Sequence, residues 1–312
     1  MRAIGLTAFG GPEVLQQLDL PAEPLGPGEV RIRVAAATVN PTDVLLRSGA
    51  LAAHHPLGTE PIVPGMEAAG TVVELGPEAD GRLAPGDLVT AIVVPRAAHG
   101  AYREDLVLPA ESVVGAPAGA DAVAAATLPM NGLTAWLALD ALALEPGGVL
   151  AVSGAAGAVG GYVVQLGRAA GLTVVADAAP ADEELVTGLG ADVVLPRGAH
   201  FAQRVRERFP AGVDAVVDGA NQQAELTPAV RDGGCFLPLR PWPGDGLREV
   251  RFPFVAAPRA ARDTAALEAL RSAVDDGALT LRVARAIPAP EAAQAHRELA
   301  TGGLRGRLVL TF

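Results

Sequence analysis

The sequence contains no lysine: all 24 of its basic residues are arginine. That excludes a lysine Schiff base, the lysine of a phosphate-binding P-loop and any catalytic lysine. Cysteine is nearly as scarce. Cys235 alone permits no intrachain disulfide and no multi-thiolate metal site, which suits a reducing compartment and predicts a cytoplasmic location. Basic charge is outweighed by 35 acidic residues, for a formal net charge of −11. Such a chain is a poor partner for nucleic acid or an anionic membrane. Long apolar runs are missing too. Met1–Leu15 is broken by Gly5, Gly10, Gly11 and Pro12, so no signal peptide is predicted. The most apolar stretch, Ala122–Leu166, is interrupted by Pro129, Asp140, Glu145 and Pro146, short of the ~18 uninterrupted residues a membrane helix needs. The expectation is a soluble protein.

What is present is enough chain for two domains, 312 residues of which half are hydrophobic. Met1–Leu6, Glu29–Ala36, Gly70–Leu75 and Asp87–Val94 are rich in Val and Ile and lie among the turn signals Pro27-Gly28, Pro64-Gly65 and Pro85-Gly86. They predict a β-rich domain. From Asp121 the pattern alternates. Ala122–Leu142, Ala158–Ala170, Asp182–Leu189 and Ala202–Phe209 read as helices, with strands at Val149–Ser153, Thr173–Asp177, Val193–Leu195 and Ala215–Asp218. Repeated β-α-β units imply a doubly wound parallel sheet, so the fold class is α/β. Helices follow at Arg262–Asp275 and Glu291–Ala300, and a last strand, Arg307–Phe312, is expected to return to the first domain.

One motif carries chemistry. The strand ending at Ser153 runs into Gly154-Ala155-Ala156-Gly157-Ala158-Val159-Gly160 and then into a helix. Glycines permit the tight turn and let a pyrophosphate approach bare backbone, while the helix N-terminus supplies amide donors and partial positive charge. Ser153 through Gly160 are therefore the candidate dinucleotide-binding residues. Asp177 ends the second strand, where an acid commonly holds the adenosine ribose hydroxyls and repels a 2′-phosphate; otherwise it simply begins a solvated turn.

These features, with Val39-Asn40-Pro41-Thr42-Asp43, Pro64-Gly65-Met66-Glu67-Ala68-Ala69-Gly70, Gly86-Asp87-Leu88-Val89, Gly100-Ala101-Tyr102, Leu128-Pro129-Met130-Asn131-Gly132-Leu133-Thr134-Ala135-Trp136, Glu291–His296 and Gly306–Leu310, resemble the medium-chain dehydrogenase/reductase superfamily. Within it, the chain is similar to the zinc-free quinone oxidoreductases related to zeta-crystallin. The resemblance implies a GroES-like β-rich catalytic domain, residues 1–120 completed by 254–312, and a Rossmann domain over 121–253, with the active site in the cleft between them. It also implies a homodimer. Zinc alcohol dehydrogenases of the superfamily carry cysteine at the position of Asn40 and histidine at that of Met66, and neither residue here is a normal zinc ligand. No metal is expected. Hydride transfer to an acceptor already activated by conjugation, a quinone or an α,β-unsaturated carbonyl, is the implied reaction.

The resemblance places Asn40 near the nicotinamide as a hydrogen-bonding amide, and Thr134 beside it; each also reads as an ordinary turn or helix residue. Asp43 and Glu67 are possible cleft carboxylates. Two departures stand out. Leu45, Leu46 and Leu51 occupy the stretch where such enzymes often have tyrosines, which predicts a more aliphatic pocket. No lysine follows the second strand, where the family usually meets the 2′-phosphate. Arg197 and Arg305 are the candidate replacements, or else surface arginines. NADP(H) is favoured by the resemblance, with NAD(H) open because of Asp177. Alternatives to the quinone or enone reductase are an enoyl reductase of a biosynthetic pathway and a cofactor-binding redox sensor without turnover.

Overall fold

The computed structural model of the protein describes residues 1–79 and 81–312, and its chain divides into two compact units. The first comprises Met1–Met130, Pro258–Asp276 and Leu281–Phe312; the second comprises Asn131–Ala257 and Gly277–Thr280.

In chain order the first unit holds β1 (Arg2–Gly5), β2 (Gln16–Asp19), β3 (Glu29–Thr38), α1 (Pro41–Ser48), β4 (Glu67–Leu75), β5 (Leu88–Ile92), β6 (Asp105–Pro109), β7 (Val113–Gly115) and α2 (Ala122–Ala125). α3 (Pro129–Leu142) starts in this unit and continues into the second. The second unit contains β8 (Val149–Ser153), α4 (Ala158–Ala169), β9 (Thr173–Ala178), α5 (Glu183–Gly188), β10 (Val193–Pro196), α6 (Phe201–Arg208), β11 (Val213–Asp218) and β12 (Val230–Pro238). α7 (Thr264–Asp275), β13 (Val283–Pro288), α8 (Ala292–Thr301) and β14 (Arg307–Thr311) bring the chain back to the first unit.

The first unit is built on a sheet in the order β13-β14-β3-β4-β5-β7, with β6 also paired to β3. β3 alternates buried and exposed residues through Val30, Ile32 and Val34, as a half-covered strand does, and then buries every residue from Ala36 to Thr38. Leu106, Leu108, Leu308 and Leu310 close the same core. Pairing between β3 and β4 is close. A Cβ added to Gly70 would lie 2.0 Å from the Arg33 carbonyl oxygen, opposite the irregularity in β3 between Val34 and Ala36. Only glycine permits that approach.

The second unit carries the parallel sheet, in the order β10-β9-β8-β11-β12. Its strands read as near-continuous apolar runs because both faces are covered. Ala151, Val175, Val216 and Phe236 pack with Phe201 and Val205 of α6. The α/β class and the doubly wound sheet agree with the sequence pattern.

The single helix expected over Ala122–Leu142 is two helices. Asp121 caps α2 through the Ala124 amide at 2.8 Å, the chain tightens over Ala126–Leu128, and α3 restarts at Pro129. Proline lacks the N–H that would continue the ladder and disfavours helical geometry in the residue before it. By length and apolarity alone, 122–142 does reach what a membrane span requires, contrary to the sequence reading, but 61% of its most apolar window is buried inside the fold. That is the behaviour of a core segment.

Replacing Gly70 by Ala is expected to lower stability by about 1–3 kcal/mol, the range for forcing extra atoms into a packed site. Gly188→Ala, on α5 with open space around the added methyl, is expected to raise it by about 0.5–1 kcal/mol. Denaturant unfolding of both variants checks the contrast.

Candidate active site

In the first unit, antiparallel pairing sets the C-terminal end of β3 beside the N-terminal ends of β4 and β14, so Thr38, Glu67 and Arg307 meet. All three are buried. Arg307 Nη2 donates to Glu67 Oε1 at 2.6 Å, to Thr38 Oγ1 at 2.6 Å and to Asn40 Oδ1 at 2.8 Å, with a longer contact to the Val39 carbonyl at 3.4 Å. The Thr38 hydroxyl donates in turn to Glu67 Oε1. The other Glu67 oxygen, Oε2, accepts from the Met130 amide in the first turn of α3, 2.7 Å away. Every oxygen of this carboxylate thus has a donor, as a buried charge requires.

Asn40 is the N-cap of α1, with Pro41 in the first helical turn. Asp43 Oδ2 accepts from the Asn40 backbone amide at 2.8 Å, while Asp43 Oδ1 accepts from Gly65 N at 2.9 Å and fixes the turn before β4. Tyr102 donates its hydroxyl to Asp43 Oδ2 at 3.1 Å and lies 3.2 Å from His296 Nε2. Its one proton being spent on Asp43, the bond to His296 runs from Nε2–H to the tyrosine oxygen. This leaves His296 Nδ1 a bare acceptor, buried and without a partner. Burial pushes the Asp43 carboxyl up to about 6, opposed by its two backbone donors and Tyr102. Burial likewise pushes His296 down to about 3, aided by the positive charge of Arg47. Tyr102 is raised well above its usual value, by burial and then by the Asp43 charge.

The leucines divide. Leu46 is buried with Leu6 and Ile62, whereas Leu45 is 38% exposed. Leu46 is therefore committed to the core and does not line a pocket. The amphipathic turn of α1 separates them.

In the second unit the glycine loop joins β8 to α4. Gly154 has φ +71°, and an added Cβ at Gly160 would stand 2.3 Å from the Gly154 carbonyl oxygen, so the first helical turn lies directly on the loop. Gly157 is the N-cap of α4, with no side chain of its own to cap the helix; Ala158 and Val159 begin the first turn. The loop's lower side is already bonded. Ala155 N donates to Asp177 Oδ1 at 3.0 Å, and Ser153 Oγ, fully buried, donates to Asp218 Oδ1 at 2.7 Å and accepts from Ala220 N at 3.1 Å. Asp177 itself is buried, which raises its pKa against the loop amides of Ala155 and Gly154 and the charge of Arg197. Arg197 N donates to the Ala178 carbonyl at 2.9 Å, setting this exposed arginine at the end of β10 beside the end of β9. Ser153–Gly160, Asp177 and Arg197 are thus brought to one edge of the sheet, as is Ala156, which is buried. Thr134, half-buried, is on the second-unit part of α3. Asn40 and Arg305 belong to the first unit, Arg305 with Nη1 on the Leu304 carbonyl at 3.2 Å.

Thr38 and Arg307 are the members that sequence reasoning missed as site residues. A signal existed: Glu67 opens β4 directly before the small run Ala68-Ala69-Gly70, and a buried carboxylate demands a cation.

Residues 26–118 match the family "Alcohol dehydrogenase GroES-like domain", and residues 189–310 match "Zinc-binding dehydrogenase". The chloroplastic quinone-oxidoreductase homolog of Spinacia oleracea is 32% identical over 256 residues, covering 78% of this chain and 76% of that protein. Of several polyketide synthase components that it also matches, the chain spans 10% or less of the length. Among solved structures, a mycobacterial protein complexed with NADPH is 29% identical with a TM-score of 0.84, each chain covered in full. The CurK enoyl reductase is 25% identical with a TM-score of 0.86, over 99% of this chain and 98% of that one.

Zinc, which one of those family descriptions implies, does not fit the residues here. The Asn40 oxygen is occupied by a guanidinium, and Met66 offers only a buried thioether. Among the described residues no group of three or more His, Cys, Asp or Glu could hold a metal ion. A nicotinamide dinucleotide does fit the second unit: the first turn of α4 offers backbone donors, and Gly154 and Gly160 keep side chains out of the turn before it.

Asp43 and His296 make opposed contributions to the pH dependence of stability. Asp43, raised from 3.8 to about 6, loses stability as pH rises across that interval; His296, depressed from 6.5 to about 3, gains stability as pH rises across its own. Between about pH 4 and 6 the two slopes, each about 1.4 kcal/mol per pH unit, cancel. Relative to wild type, His296→Gln is expected to add a falling slope there, and Asp43→Asn a rising one. Urea unfolding at half-unit pH intervals measures both; profiles parallel to wild type in either variant contradict the assignment.

Proposed function

This chain belongs to the quinone oxidoreductase group of the medium-chain dehydrogenase/reductase superfamily, and on that premise we propose that it reduces a quinone or an α,β-unsaturated carbonyl without zinc. The observation that carries the reading is the donor set at Asn40 and Met66. It does not suit a Lewis acid, which supports an acceptor that is electrophilic through its own conjugation. The nicotinamide, when bound, supplies the hydride.

The protein's part is to bind, orient and donate hydrogen bonds. Backbone amides of Ala158, Val159 and Gly160, in the first turn of α4, and the positive end of that helix receive the diphosphate. Asn40 offers its side-chain amide to the acceptor oxygen, while Thr134, on the second unit, is the residue that the resemblance assigns to the nicotinamide. Quinone reduction is the better supported choice over enoyl reduction. Tyr102 is fully buried and bonded to Asp43 and His296, so it is no donor of a proton to carbon, whereas the oxygens of a reduced quinone take protons from solvent. The likeness to the CurK enoyl reductase keeps enones and enoyl thioesters in the assay. For the cofactor, Arg197 beside the ends of β9 and β10 supports NADPH, the ligand of the mycobacterial neighbour, with the guanidinium pairing the 2′-phosphate. The expected homodimer would use an edge strand of the parallel sheet, β10 or β12.

Cofactor oxidation followed with a panel of quinones, enones and enoyl thioesters tests the reading, with turnover of quinones expected first. Cofactor binding with no consumption across the panel would instead indicate a sensor. Arg197→Ala is expected to lower kcat/KM for NADPH about tenfold while leaving NADH unchanged; equal losses for both cofactors remove Arg197 from the site. Gly160→Ala is expected to weaken cofactor binding at least about tenfold, read by titration calorimetry, because the new methyl displaces the loop from the helix.

A further inference from the structure

We propose that Arg307 is a positioning residue: it fixes which way the Asn40 carboxamide faces, so that Asn40 presents a single unpaired N–H to the acceptor's carbonyl oxygen. This rests on the reductase reading above and specifies how its hydrogen-bond donor is made.

The two ends of an asparagine amide are nearly equal in size, so sterics alone does not choose between them. Arg307 does choose. A guanidinium only donates, and Nη2 stands 2.8 Å from Asn40 Oδ1, which fixes the oxygen on the arginine side. The nitrogen end then meets Glu67 Oε1 at 3.3 Å and Thr38 Oγ1 at 3.4 Å. Those two acceptors are hydrogen-bonded to each other and subtend too narrow an angle at Nδ2 to take separate protons, which diverge by about 120° from a planar amide nitrogen. One N–H therefore serves both in a long, bifurcated contact. Among the described residues the second has no acceptor.

Asn40 is only 3% exposed, so that second donor has little water to turn to. An unmet buried donor is unfavourable in the free protein and is relieved when a ligand brings an oxygen to it. The same guanidinium bond polarises the amide, since a donor at Oδ1 withdraws electron density from Nδ2–H and strengthens it. Glu67 balances the charge. It holds Arg307 in a neutral pair and, through Oε2, is held in turn by Met130 N. Carboxylate and hydroxyl thus keep the guanidinium still, and the guanidinium keeps the amide oriented.

The test is a double-mutant cycle joined to a spectroscopic readout that needs no turnover. Asn40→Ala is expected to lower kcat about tenfold with little change in cofactor KM. Arg307→Lys keeps the charge opposite Glu67 and alters the geometry at Oδ1. It is expected to lower kcat severalfold in the wild-type background and less than about twofold in Asn40→Ala, because its effect passes through the amide. Equal losses in both backgrounds overturn the proposal. Should Arg307→Lys fail to fold, Thr38→Val, which removes one of the two acceptors at Nδ2 and a partner of Nη2, takes its place in the same cycle under the same criterion. In protein labelled with ¹⁵N-asparagine, the Asn40 side-chain pair, assigned by its loss in Asn40→Ala, is expected to shift and exchange faster in the Arg307 or Thr38 variant. An unchanged pair overturns the proposal even if no substrate is found. Absence of turnover in wild type together with a shifted pair refutes the reductase reading while leaving the orientation role of Arg307 intact.

Discussion

The buried pairing of Glu67 with Arg307 is the constraint on which the first unit's candidate site depends. Neither charge has enough water to be stable alone, and removing either would leave the other stranded at a cost of several kcal/mol. Each is placed by a strand end, and the strand ends are placed by antiparallel pairing around β3. The ion pair therefore ties sheet register to site chemistry. A slip of one residue in β14 would send Arg307 to the opposite face and leave Glu67 uncompensated. Thr38, Asn40 and the first turn of α3 then attach to this pair by hydrogen bonds alone.

The second unit uses carboxylates differently. Among the described residues no arginine is bonded to Asp177 or Asp218; they accept from backbone amides and a serine hydroxyl where the strands give way to loops. Asp177 reaches beneath the glycine turn, so its charge lies close to where a dinucleotide's phosphates would rest. An acid there stiffens the turn while making the neighbourhood less welcoming to anions. Arg197 at the adjacent strand end offsets that field. The sequence also allowed Asp177 to begin a solvated turn; instead it is buried within β9, with its carboxylate turned to the loop.

How much of this was legible in advance depended on locality. The glycine loop, its flanking strand and helix, and the alternation that makes a parallel sheet are short-range patterns, and they stand where the pattern put them. β12 was harder to see, because Asp232-Gly233-Gly234 interrupts its apolar run, and β13 harder still, since most of its residues are exposed. The break at Ala126–Leu128 was written in Pro129 but masked by alanines that suit a helix on both sides. Asn40 and Glu67 could be singled out by resemblance, yet their partners could not. Thr38 and Arg307 lie 269 residues apart and share no local signature. Only the tertiary demand that a buried acid find a cation unites them.

That distance also governs when the site can exist during synthesis. The second unit's main segment is continuous, so its parallel sheet can close as soon as residue 238 has emerged. The first unit, by contrast, has its acid on β4 and its cation on β14, with the whole of the other unit translated between them. A nascent chain stopped before Arg307 therefore holds a carboxylate that must stay hydrated, which keeps the end of β3 from sealing. Closure of that sheet waits until Arg307 itself has emerged.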